Sequence, residues 1–214
     1  MRDLTKLSDA MDSKLKDKVM SKVKDAAGGA RQMSASDISN MGDMVKDMNV
    51  REMKNLDASA VRSSLSTFSD NAKDMNRAQK MQLRKTVRDS VGGAGNWTSD
   101  DVVNAAAFIG RDRDLMKKID KDVLISGMTN LSKQDMDPKS ARTMVSKIKE
   151  SADYDEPRDF DTSKFKEVGN LAKGFSPRFV KNMTNVDFGS LLSSGDLKDI
   201  DFSENFLLYG YVDF

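Results

Sequence analysis

Residues 34–56 read SASDISNMGDMVKDMNVREMKNL, and the architecture of the chain follows from how this stretch is parsed. Ser34 stands three residues before Asp37, the S-x-x-D spacing in which hydroxyl and carboxylate satisfy each other's backbone N–H at a helix start. Ile38, Met41, Gly42 and Val45 then fall on one helical face, and a short second helix carries Met53 and Leu56. The unit returns, degenerate but in phase, as TSDDVVNAAAFIGRDRDLMKKI at 98–119 and TSKFKEVGNLAKGFSPRFVKNM at 162–183.

Upstream, residues 8–27 predict an amphipathic helix whose stripe is Met11, Leu15, Val19 and Val23, stopped by Gly28 and Gly29. Downstream, one helix is expected over 58–72, with Val61, Leu65 and Phe68. Another is expected over 77–91, with Leu83 and Val87, ending at Gly92 and Gly93. The order then restarts. Ser34, Asp37, Ile38 and Val45 recur as Thr98, Asp101, Val102 and Ile109, and after a one-residue slip Met53 and Leu56 recur as Met116 and Ile119. Helices this short, each with one apolar face, are marginal alone and must stack on neighbours. The expected fold is therefore all-α, an α-solenoid of short helices with a repeat of about 64 residues. The chain reads as one helical-repeat domain, 1–214: an incomplete first repeat (1–33), then 34–97, 98–161 and 162–214. Gly42, Ala106 and Gly169 are expected where one helix backbone closely approaches another.

Composition narrows the chemistry. The 35 basic and 34 acidic residues leave a net charge of +1, which argues against a dedicated nucleic-acid binder. There is no cysteine and no histidine, so disulfides, thiolate metal sites, Ser-His and Cys-His dyads and the commonest metal ligand are excluded. No apolar run approaches the roughly 18 residues a membrane helix needs. The polar start and the apolar ending FLLYGYVDF suggest a piece of a longer chain.

The recurring unit resembles the mesothelin, stereocilin and otoancorin superfamily. The matching residues are Ser34, Asp37, Ile38, Gly42, Val45, Met53 and Leu56, followed by Gly95, Trp97, Thr98 and Asp101 where the unit restarts. The resemblance spans nearly the whole chain. It implies a superhelix of short helices on secreted or cell-surface proteins that work in adhesion and in attachment to matrices. The chain departs from that pattern in having no cysteines, no secretory leader and no lipid-anchor signal.

The candidate sites are few. Asn96, Asn130 and Asn182 stand in N-x-[ST] sequons and are glycosylation candidates. ADYDEPRDFD at 152–161 carries Asp153, Asp155, Glu156, Asp159 and Asp161. The aspartates among these are weak calcium candidates, because calcium takes hard oxygen ligands but the D-x-D-x-D-G spacing is absent; a solvated loop is the plainer account. The fifteen methionines read first as core filler and second as an adaptable partner groove. Trp97 reads as a hydrophobic staple before the Thr98 cap, and Gly92, Gly93 and Gly95 as a helix stop rather than a phosphate cradle. DFSENFLLYGYVDF at 201–214 reads as a terminal cap or a self-associating patch.

These readings predict no catalytic residues, no cofactor and no enzyme activity. The expected function is an extracellular structural or adhesion module that presents a helical-repeat surface to a protein, glycan or matrix partner, secreted or at the cell surface, with no nucleic acid bound. The alternative is a cytoplasmic armadillo-like scaffold that binds proteins.

Overall fold

Capping chemistry and glycine punctuation set the elements much as the sequence pattern predicts. A computed structural model describes residues 11–134, 136–151 and 153–195. Every regular element among them is helical. The chain divides into two units, Met1–Asn96 and Trp97–Phe214. The terminal segment 201–214 lies outside the described residues.

In the first unit, α1 (Ser13–Ala26) starts at Asp12, whose carboxylate accepts from the Leu15 N–H at 2.8 Å, and stops at Gly28 and Gly29 with φ of 77° and 106°. The phase of its packing face differs from the expected stripe. Leu15 is 47% exposed, while Met20 is buried between Lys16, which pairs with Asp47, and Lys24, which pairs with Glu52. The inward face thus runs through 16, 20 and 24, one residue on from 15, 19 and 23, with lysine stems beside the methionine.

Next, α2 (Ala35–Met41) carries the expected capping box, with Ser34 and Asp37 bonded reciprocally. These bonds, from the Ser34 hydroxyl first, hold the Asp37 carboxyl below its ordinary pKa. The helix does not run on to Val45. Gly42 takes φ 51°, ψ −126°, a conformation costly for L-residues, and starts a 3-10 turn, Gly42–Asp47. A second capping box, Asn49 with Glu52, starts α3 (Val50–Asn55). The helix expected over 58–72 is two, α4 (Ala58–Ser63) and α5 (Leu65–Asp70). Between them the buried Ser64 hydroxyl donates to the Ala60 carbonyl at 2.8 Å and competes with the helical ladder. A third box, Asn76 with Gln79, opens α6 (Arg77–Ser90), which packs on α3 and α4. Gln79 is buried, and its Nε2 donates to the Lys46 and Met48 carbonyls, both at 2.7 Å.

The second unit opens with α7 (Ser99–Ile109), capped by the reciprocal pair Thr98 and Asp101 and unbroken through the buried Ala106. Then follow α8 (Arg113–Lys118), α9 (Lys121–Ser126), α10 (Met128–Leu131) and α11 (Pro138–Ile148). After a short 3-10 turn, Pro157–Asp159, come α12 (Thr162–Val168), α13 (Pro177–Lys181) and α14 (Phe188–Ser194). The cap of α12 is Asp161, one residue before the expected start of that unit. Gly169 has φ 47° and begins a 3-10 turn, Gly169–Gly174, as Gly42 does. Both glycines therefore serve chain direction; Gly169 is also tight, since a Cβ there would sit 3.2 Å from Ser132. Two other glycines are tighter still than Gly169. A Cβ on Gly127 would stand 2.3 Å from the Val102 side chain, and one on Gly174 would stand 2.4 Å from the Ala141 carbonyl carbon.

Both cores are methionine-rich. Twelve of the fifteen methionines are buried and one, Met81, is exposed, so most of these thioethers fill the interior. The second unit adds an aromatic cluster. Phe160 is fully buried, with Tyr154, Phe175 and Phe179 edge-on at 5.2–5.7 Å.

Candidate functional site

One charged groove of the described surface, of about 540 Å³, lies between α8 and α11, inside the second unit. Capping sets both walls. The Asp112 carboxylate accepts from the Leu115 N–H at 3.1 Å and starts α8. Asp137 accepts from the Lys139 and Ser140 N–H groups at 3.0 and 3.1 Å and starts α11, with Pro138 in its first turn. Burial would raise the Asp137 pKa, but the Ser140 hydroxyl, these N–H groups and Arg111 hold the carboxyl below its ordinary value.

Helical phase then selects what the groove shows. Leu115, Met116 and Ile119 of α8 and its C-cap, with Ala141, Met144 and Ile148 of α11, are buried. The residues left to line the groove are Arg113, Lys117, Lys139, Arg142, Thr143, Ser146, Lys147 and Glu150: five cations, two hydroxyls and one carboxylate. The Arg113 Nε donates to Thr143 Oγ1 at 3.3 Å, and Lys147 Nζ donates to the Ile119 carbonyl. Lys121 Nζ donates to the Glu150 carbonyl oxygen at 3.2 Å, at one end of the groove. Lys117, Lys139 and Arg142 have no side-chain hydrogen bond or ion pair among the described residues. The hydroxyl protons of Thr143 and Ser146 go to the Lys139 and Arg142 carbonyls, at 3.1 and 2.9 Å, so toward a ligand both oxygens can only accept, and Thr143 Oγ1 already takes one bond from Arg113. Such a site attracts oxyanions and accepts hydrogen bonds from hydroxyl groups.

The near-zero net charge hides this groove from a reading of the sequence. A local signal exists: residues 138–149, PKSARTMVSKIK, hold four cations and no acid in a chain that is otherwise balanced. Composition alone would still not suffice, because α6 is equally basic with its cations at other phases.

The sequence candidates are dispersed. Asn96 is exposed at the end of a 3-10 turn, Ala94–Asn96, with Nδ2 donating to the Val91 carbonyl at 3.2 Å. Asn130 is half-buried within α10, and Asn182 is the exposed C-cap of α13. The acidic loop does not converge on one point. Asp159 Oδ2 accepts from the Glu156 N–H, Asp161 caps α12, the Asp153 carbonyl accepts from Lys164, and Asp155 is exposed. Among the described residues no group of three or more acids is placed to hold a metal ion. Of the calcium candidates Asp153, Asp155, Asp159 and Asp161, the last two thus use their carboxylates on backbone N–H groups, and the first two stand exposed in the loop. Nearby, burial and the Glu167 carboxylate raise the Tyr154 pKa. Trp97 is buried just before the Thr98 cap, as a staple requires, and its indole N–H has no acceptor among the described residues. Gly92 and Gly93, with φ of 71° and 127°, end α6 as Gly28 and Gly29 end α1.

No described helix is long and apolar enough to cross a membrane. No known protein family, curated protein or solved structure matches the chain. The likeness to the mesothelin superfamily rests on its sequence pattern alone.

Proposed function

We propose that this chain is a non-catalytic helical-repeat module that presents the groove between α8 and α11 to a partner outside the cell, in a structural or adhesive role. The observation that carries the reading is the groove itself: five cations on two packed helices, three of them without a hydrogen bond or ion pair among the described residues. Five like charges gathered on two facing helix surfaces sum into one positive field that draws an anionic ligand. The solenoid reading, with its repeat of about 64 residues, is supported by three recurrences. Double glycines end α1 and α6, side-chain caps at Ser34, Thr98 and Asp161 open α2, α7 and α12, and positive-φ glycines follow α2 and α12. The extracellular setting is supported by the family resemblance.

The test is attachment of the purified chain to intact cells and to extracted matrix at about 0.15 M salt. Retention of the wild type, with loss in the double variant K139E/R142E at unchanged melting temperature, is the expected result. Equal retention of both, or none of the wild type, overturns it. Tagging the full-length gene product and finding it only after cells are permeabilised would favour the cytoplasmic scaffold instead.

A further inference from the structure

We propose that the groove between α8 and α11 binds a sulfated glycan chain. This rests on the binding-module reading above and adds the class of ligand. The lining chemistry decides among polyanions. None of the eight lining residues is aromatic, so there is no platform on which bases could stack as they do in single-stranded nucleic-acid sites. None is aliphatic, so there is no pocket for the buried anchor that a docked peptide uses. What the groove offers is a row of cations: Lys139, Arg142 and Lys147 spread along about 12 Å of α11, facing Arg113 and Lys117 of α8.

The acceptors sharpen the choice. Thr143 Oγ1 and Ser146 Oγ have given their protons to backbone carbonyls, and Glu150 adds an exposed carboxylate. A phosphodiester backbone offers little but acceptors there, so it leaves these groups without donors. A sulfated sugar carries both partners on one unit: oxyanions for the guanidinium and ammonium groups, and free hydroxyls that donate to Thr143, Ser146 and Glu150. Arg113 and Arg142 suit oxyanion recognition, because a planar guanidinium can pair with two oxygens of one sulfate.

The experiment measures the intact chain on immobilised heparin, on chemically desulfated heparin, on duplex DNA and on polyglutamate, each at about 0.15 M salt. The expected result is binding to heparin that weakens roughly tenfold or more on desulfation, and as much in K139E/R142E. A control variant, K54E/K85E, makes the same change of net charge on the first unit and should keep wild-type affinity. Equal or tighter binding to DNA or polyglutamate, indifference to desulfation, or equal loss in the control variant overturns the proposal. Failure on heparin with cell and matrix attachment intact removes the glycan and leaves the module reading standing; failure of both removes both.

Discussion

The helix pair α3 and α6 in the first unit and the pair α8 and α11 in the second are built alike and dressed differently. In each unit the long helix packs on two short ones, α6 on α3 and α4, α11 on α8 and α9. Counted from the N-caps Asn49, Asn76, Asp112 and Asp137, the third helical residue of each long helix is a buried polar group, Gln79 or Ser140. The seventh and eleventh are buried apolar groups: Leu83 and Val87, or Met144 and Ile148. At the positions of Arg113, Lys139 and Arg142 the first unit instead has Val50, Ala78 and Met81, with Val50 36% and Met81 50% exposed. The inward positions thus keep their character across the two units, while these three outward positions turn from neutral and apolar to cationic; the counterpart of Lys117 is already a lysine, Lys54. Binding chemistry can be added to such a scaffold without touching what holds it together.

If the two pairs are equivalent scaffolds, truncating their matched core positions should cost alike. Leu83→Ala and Met144→Ala are each expected to destabilise by about 2–5 kcal/mol, read by urea denaturation; a large cost for one and almost none for the other breaks the equivalence. The buried polar positions should differ. Gln79→Ala leaves two carbonyls beneath it without a donor and is expected to cost about 1–3 kcal/mol. Ser140 bonds only within its own cap, to Asp137 at 2.6 Å, so Ser140→Ala should cost about 0.5–1.5 kcal/mol by the same measurement. The smallest effect on stability is expected from carrying the second unit's charges onto the first. The double variant V50R/M81R should stay within about 0.5 kcal/mol of wild type. It should elute from heparin at higher salt. Unchanged elution would show that two helix-borne cations do not recreate the groove.

Local chemistry was the legible part of this fold. The capping boxes at Ser34 and Thr98, the glycine stop at 28–29 and a helix at 77–91, observed as Arg77–Ser90, could be read because each depends on a few adjacent residues. The break at Gly42 was missed because hydrophobic period does not register backbone dihedrals, and a glycine on an apolar stripe looks like a packing point. The break at Ser64 was missed because a hydroxyl that competes with the helical ladder resembles any helical serine. The inward phase of α1 buries Met20 and brings Lys16 and Lys24 to Asp47 and Glu52, distant partners that a local stripe cannot anticipate. The groove was illegible for the same reason. Its two walls are more than twenty residues apart in sequence, and only the packing of α8 on α11 sums their charges in one place. The sequons could be located from sequence, but the acidic loop drew attention for a composition that the structure spends on capping.

The methionine interior makes this protein's vulnerability a matter of time rather than of place. A thioether reacts with oxidants only when they can reach it, and the sulfoxide is a polar, chiral group that an apolar core does not readmit. Met81, on the exposed face of α6, takes such damage without consequence for packing. The twelve interior thioethers wait for a transient opening, and each one caught in the open state prevents reclosure around it. Oxidative ageing of the chain is thus paced by how often its helices part.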